Sequence, residues 1–275
     1  MRSTEGRRRR WPSLTFVLVG VAGLLLLAPI SQAAAGGPPM VILKAPFTGV
    51  TTYPSTSTSS AGCGTGKVVR APFFIPTTGK GGFSEKAHAT SCPGLYGDSG
   101  SASAGLTVSV PIPAHSGTNV IHARWTVDAS VGAQIGGANC LLYNTSYSYC
   151  YLGSYSSLSG YAYLIDVTNN SYWFGTTAWP GVYASSSLFA SCYFGNCSLN
   201  VTGNQHFSVK TTVTWSFHAN GLNPSHVYVL EVDWYSGVSV FDYSYQATLT
   251  GASEAGSVIM SGPGSGATLN WITIS

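Results

Sequence analysis

The chain has 275 residues, only 8% of them charged, with 12 Lys and Arg against 9 Asp and Glu and a formal net charge of +3. Five of the basic residues (Arg2 and Arg7 to Arg10) and one acid (Glu5) lie within the first ten positions, leaving 7 basic and 8 acidic residues in the remainder. That balance excludes a nucleic-acid surface, which needs clustered Lys and Arg, and an aromatic content of 12% excludes a disordered polar tract.

In chain order, the first element is an export leader. The positive block Arg7 to Arg10 precedes an apolar run from Leu14 to Ile30, and small residues follow at Ser31, Ala33 and Ala35. This is the layout of a secretory signal peptide over residues 1–35, with cleavage after Ala33 or Ala35. The rival reading is an uncleaved signal helix acting as an anchor, since about 17 apolar residues reach the short edge of a bilayer span. Membrane contact is expected only through that leader, and only if it is retained. The protein is therefore expected to be secreted or held at the cell surface, outside the cytoplasm.

Residues 36–60 are rich in Gly, Pro, Ser and Thr around Met40 to Leu43, and predict a flexible linker or a loosely attached first strand. A single domain is expected over 61–275, dominated by period-2 alternation. Alternation at Leu106 to Ile112 predicts a strand. Over 119–131, Ile121, Ala123, Trp125, Val127, Ala129 and Val131 face one way, while His122, Arg124, Thr126, Asp128 and Ser130 face the other. Tyr161 to Val167 and Tyr172 to Phe174 flank a turn at Thr168 to Ser171. In 206–218, Phe207, Val209, Val213, Trp215 and Phe217 share a face, with His206, Lys210 and His218 on the other. Two further strands are predicted, one placing Tyr228, Leu230, Val232 and Trp234 together, the other Phe241, Tyr243, Tyr245, Ala247 and Leu249. The last pair, Val258 to Met260 and Leu269 to Ile274, flanks a Gly-rich turn. Some ten short strands with one apolar face each predict an all-β antiparallel sandwich or jelly roll behind the signal helix. Hydroxyl side chains are expected on its wet faces.

All six cysteines follow the leader, and an even count in an exported chain points to disulfides. Sequence proximity suggests the pairs Cys63–Cys92, Cys140–Cys150 and Cys192–Cys197, which would staple loops. No Cys-x-x-Cys pair or His partner at ligand spacing occurs, so no metal is expected, and no cofactor fingerprint is present. Asn144, Asn169, Asn196 and Asn200 sit in Asn-x-Ser/Thr sequences compatible with glycosylation. The scarcity of carboxylates also suits an acidic exterior, because acid unfolding proceeds by protonating paired carboxylates.

Two candidate sites emerge. Glu231-Val232-Asp233-Trp234 places two carboxylates on one strand face with Val229 and Tyr235, about 6.5–7 Å apart, a spacing at which two acids can share catalytic work. The pair locally resembles the Glu-x-Asp-x-x-Glu strand motif of laminarinase-type jelly-roll glycosidases. The resemblance implies a nucleophile at Glu231 and a helper at Asp233, while Ser236 occupies the place of that family's acid/base. A polysaccharide hydrolase built on this pair would need a further carboxylate such as Asp166 or Asp242 across from it. A Glu–Gln peptidase pairing of Glu231 with Gln134 or Gln246 is the other catalytic arrangement these residues allow. The bland reading is a wet face carrying two acids, paired with Lys210 or His206 from a neighbouring strand.

The second candidate is the stretch holding Tyr143, Tyr147, Tyr149, Tyr151 and Tyr155, with Tyr161 beyond, set among Ser and Gly. Tyr with Ser and Gly suits an adaptable contact surface, and flat rings stack on sugars or partner proteins. The alternative is that these rings fill the core. The reading favoured on sequence is a non-catalytic binding or adhesion module for a glycan or a cell-surface protein.

Overall fold

The computed structural model describes residues 40–92, 97–113, 120–143, 148–174, 182–193, 197–199, 203–218, 222–261 and 265–275; the leader lies outside them. Every regular element described is a strand, and every strand pairing is antiparallel. In chain order they are β1 (Val41–Leu43), β2 (Thr51–Ala61), β3 (Thr65–Ile75), β4 (Lys80–Thr90), β5 (Gly97–Ile112), β6 (Val120–Gly136), β7 (Ala138–Leu142) and β8 (Tyr149–Asp166). There follow β9 (Ser171–Phe174), β10 (Val182–Tyr193), β11 (Cys197–Leu199), β12 (Gly203–His218), β13 (Tyr228–Tyr245), β14 (Ala247–Thr250), β15 (Ser253–Ile259) and β16 (Gly266–Ile274). The stretch expected as a linker or loose strand thus contributes β1, which pairs with β16, and β2, which pairs with β5 along its whole length.

Two large sheets carry the fold. The first runs β1-β16-β4-β15-β6-β12, with β3 beside β4; the second runs β10-β8-β13-β5-β2, with β9 beside β8. A small sheet, β11-β7-β14, sits beside a satellite core around Ile135, Leu152 and Leu249. The apolar faces of the two large sheets meet in one core. At its centre Trp125 and Trp215 of the first sheet meet Trp234 of the second, with ring centroids 5.9–6.4 Å apart. The alternation read along β6 holds: Ile121, Ala123, Trp125, Val127, Ala129 and Val131 are all buried. On β12 the inward set is buried only from Val213 onward, and Phe207 is half exposed.

Three features differ from the expectation. Residues 228–245 form one strand, not two, with its even-numbered side chains inward. The sense reverses at Gln246, whose φ of 46° lies in the left-handed region. Phe241, Tyr243 and Tyr245 therefore stay on the outer face, whereas Ala247 and Leu249 enter the satellite core. Secondly, several serines point inward. The buried Ser154 and Ser156 of β8 donate to the carbonyls of Ala255 (2.6 Å) and Gly132 (2.7 Å) in the opposite sheet. A buried hydroxyl is tolerated because it finds such a partner, so these serines stitch the layers together.

Thirdly, β3 crosses β5 at backbone contact. A Cβ on Gly64 or Gly66 would collide with the backbone of Ser99 or Ser101, and one on Gly100 with that of Thr65. These glycines are there for close approach, not for turning.

Two disulfides, Cys63–Cys92 and Cys140–Cys150, match the expected pairs. The side chains of Cys192 and Cys197 lie outside the described residues. The first disulfide is backed by Asp98, whose carboxylate accepts from the amides of Cys63 (2.7 Å) and Cys92 (2.8 Å).

At one end of the sandwich the β8–β9 turn is bracketed to the segment before β13. Asp166 accepts from His226 Nδ1 at 2.8 Å and from Asn169. Burial alone would push the Asp166 carboxyl up, but the His226 bond and the Asn169 amide hold it below the usual range. A group depressed in this way stabilises the fold above its unfolded value and loses that contribution as pH falls. His226→Ala is expected to cost about 2 kcal/mol at neutral pH, and less in strong acid, as measured by urea unfolding at both.

Candidate functional site: the outer face of the second sheet

The outward residues of the second sheet are set in register across five strands. Going down β13, Glu231 lies between Tyr163 and Ser109, and Asp233 between Tyr161 and Thr107. Tyr235 lies between Ser159 and Gly105, and Ser239 between Tyr155 and Ser101. Phe241 is flanked by Gly153 and Ser99, Tyr243 by Tyr151 and Gly97. On the flanks, β2 adds Tyr53, Ser55, Ser57 and Ser59, and β10 adds Tyr183, Ser185, Ser187 and Phe189. The face carries no Lys, Arg or His among the described residues.

Its aromatic side chains form two patches. In one, Tyr151 stacks on Phe189 (6.2 Å, 1°) and leans on Phe241 (5.3 Å), while Tyr149 contacts both Tyr243 and Tyr245 at 5.8 Å. The other gathers Tyr53, Tyr161, Tyr163 and Tyr235 around the two acids. A step of six residues along β13, from Tyr235 to Phe241, separates the patches, or about 20 Å. Between them lies a shallow depression of about 230 Å³ lined by Ser57, Ser101, Ser103, Tyr155, Gly237 and Ser239. Large rings remain open to solvent here: Tyr183 is 67% exposed, Tyr53 62% and Phe189 50%. A string of exposed aromatics on one sheet face is what a binding surface presents.

Glu231 and Asp233 do share a face with Val229 and Tyr235, as the alternation predicts. Thr107 Oγ1 donates to Asp233 Oδ1 (2.5 Å), and Ser109 Oγ donates to Glu231 Oε2 (3.1 Å). Burial raises both carboxyls; the Asp233 charge adds to the rise at Glu231, while Thr107 and Tyr235 temper it at Asp233. Tyr163 and Tyr235 are raised too, by burial and then by the Asp233 charge.

The partners proposed for this pair on sequence are elsewhere. Lys210 lies on the first sheet, 3.7 Å from Asp128, and His206 pairs across from Gly132 there. Gln134 belongs to β6 of that sheet, and Gln246 forms the turn after β13. Asp166 and Asp242 are buried on the inner face, behind the sheet from Glu231. Among the described residues no third carboxylate joins the pair. His122, Arg124 and Asp128 do line the wet face of β6 beside β12, but only Asp128 lies across from Lys210; Arg124 faces Thr214, and His122 meets Ser216 (2.7 Å). His206 and His218 stand towards opposite ends of β12, across from Gly132 and Val120.

Of the tyrosines singled out on sequence, Tyr149, Tyr151 and Tyr155 stand on the face. Tyr143 is not among them: it follows β7, with its hydroxyl against Thr248 of the small sheet. Tyr147 lies outside the described residues. Missed on sequence were Tyr53, Tyr183, Phe189, Tyr235, Phe241, Tyr243 and Tyr245, which reach the face from three other strands, β2, β10 and β13. Their signal was present in the odd-numbered run Tyr235, Phe241, Tyr243 and Tyr245.

Only one group of described side chains has metal-ligand spacing, Cys63, Cys92 and Asp98. Its sulfurs are joined in the disulfide, and its carboxylate is taken up by the two amides. No protein-family model matches the chain, and no curated protein matches it.

Proposed function

We propose that this is an exported, non-catalytic binding or adhesion module that holds a polysaccharide on the outer face of its second sheet. The observation that carries the reading is the face itself: two aromatic patches joined by a saddle of serines, without a cation among the described residues. Pyranose rings offer apolar C–H faces that stack on such rings, and their hydroxyls exchange hydrogen bonds with Ser, Thr and carboxylate groups. The spacing of about 20 Å between patches suits an extended chain of several sugars rather than a monosaccharide. Lacking Lys and Arg, the face disfavours sulfated or other strongly anionic polymers. The two disulfides are compatible with an extracellular environment, and the leader supplies the export signal.

The test is retention on insoluble β-linked glucan and chitin and on arrays of neutral glycans. Tyr151→Ala with Phe241→Ala is expected to weaken retention about tenfold or more, with thermal stability largely kept because both rings are on the outer surface. Incubation with the retained polymer is expected to release no new reducing ends. Release that disappears in Glu231→Gln would instead establish the hydrolase built on Glu231 and Asp233. Binding to intact cell surfaces but to no glycan, lost in the same variants, would make the partner a protein.

A further inference from the structure

The interior of the sandwich is acidic. Of the eight carboxylates beyond the leader, six are buried: Asp233 on the outer face, and Glu85, Asp98, Asp166, Asp242 and Glu254 on the inner faces. No Lys, Arg or His is buried among the described residues. Asp166 has His226 and Asp233 has Thr107, but the other four face the core without a cation.

Three of those four form one cluster. Asp98 and Asp242 are direct cross-strand partners on the inner face of β5 and β13, an arrangement in which like charges repel. Glu254 comes from β15 in the opposite sheet and feels both of them. In its own sheet Glu254 is flanked by Ala89 of β4 and Ile135 of β6, both apolar and buried. Across the layer the titratable groups facing it are Asp242 and Asp98. The hydrogen bonds distinguish the three. Asp98 accepts from the Cys63 and Cys92 amides, and its own N–H reaches Asp242 Oδ1 at 3.1 Å. Asp242 Oδ2 and both Glu254 oxygens have no partner. Of the three, Asp98 is the one with a donor on each carboxyl oxygen.

Glu85 is a separate case on β4. Val258 and Val68 flank it in register, and Ser236, facing it from β13, only tempers the effect of its burial. The neighbouring charged residues of β4, Lys86 and His88, alternate to the outside.

We infer that Glu254, Asp242 and Glu85 must be protonated for the sandwich to close, making the domain an acid-stabilised fold that loosens in neutral to mildly alkaline solution. An isolated buried carboxylate costs several kcal/mol, and neutralisation is the way out. Burial first, then the Asp242 and Asp98 charges, push Glu254 up to about 8. Burial pushes Glu85 to about 7, and burial with the Asp98 charge pushes Asp242 to about 6. In the unfolded chain these groups lose their protons near 4.5 and 3.8. A carboxyl raised on folding stabilises fully below its unfolded value, and that stabilisation is lost as pH rises through the folded value. The decline therefore runs from about pH 4 to about pH 8, opposite in direction to ordinary acid denaturation. The depressed Asp166 has the reverse sign and acts only in stronger acid.

The experiment is thermal unfolding of the purified protein, disulfides intact, from pH 3 to 9. The Tm is expected to fall by at least about 10 °C between pH 4.5 and 8.5. Glu254→Gln and Asp242→Asn are expected to flatten that slope and to exceed the parent in Tm at pH 8.5. Should those variants fail to fold, infrared spectroscopy of the parent at pH 6 is expected to show the carbonyl band of protonated carboxyl groups. A Tm that is flat or rising over this range, an unchanged slope in folded variants, or absence of that band would overturn the inference.

Discussion

Replacing Trp234 by alanine is expected to cost about 3–5 kcal/mol of folding stability. The side chain is fully buried and contacts both Trp125 and Trp215 of the opposite sheet, so its removal opens the centre of the interlayer contact. Its cross-strand partner is Gly160, where a Cβ would meet the indole ring itself, with the nearest ring atoms 2.6 and 2.9 Å away after the closest. Gly160 is thus the hole into which the ring fits. Gly160→Val alone is expected to destabilise by a similar amount through overpacking. Combining it with Trp234→Leu is expected to recover part of the loss, because neighbours that share one space are not additive. Denaturant unfolding of the parent, Trp234→Leu, Gly160→Val and the double variant measures the coupling.

A second large effect is expected at Gly66. A side chain there strikes the Ser101 carbonyl, which is backbone and cannot rotate away. Gly66→Val is expected to lift β3 from β5 and to cost at least about 3 kcal/mol. The control is Gly237 on the outer face of β13, where an added Cβ meets nothing within 4 Å. Gly237→Ala is expected to stay within about 0.5 kcal/mol of the parent. Equal losses at both positions would mean that glycine matters here for chain flexibility and not for close approach.

Much of this architecture is legible in the chain because a pleated strand switches sides at every residue. Trp125, Trp215 and Trp234 can be put in the core from spacing alone. What spacing could not convey is which strands are neighbours. Lys210 looked available to Glu231, yet it sits on the other sheet beside Asp128. Polarity misleads for a related reason. Ser154 and Ser156 look like surface residues, but each is buried because a carbonyl of the facing sheet accepts its hydroxyl. Glu254 and Glu85 are fully buried, and only the folded chain shows the carboxylates gathered around Glu254.

The candidate site was half legible. Tyr149, Tyr151 and Tyr155 alternate within one strand and could be grouped on sequence. Phe189, Phe241 and Tyr243 complete the same patch from segments far along the chain, through pairings that β8 makes with β10 and β13. Tyr143 was grouped with them by proximity in sequence, but the strand break after β7 sends it to the small sheet.

The most direct measurement compares polysaccharide binding isotherms of the parent with two surface variants. One carries Tyr151→Ser, Phe241→Ser and Tyr243→Ser on the second sheet; the other carries Arg124→Ser and Lys210→Ser on the wet face of the first. Loss of binding in the aromatic variant alone, with both variants folded and equally stable, is the expected result. Undiminished binding by the aromatic variant, or equal loss in both, would contradict the assignment of the binding surface to the outer face of the second sheet.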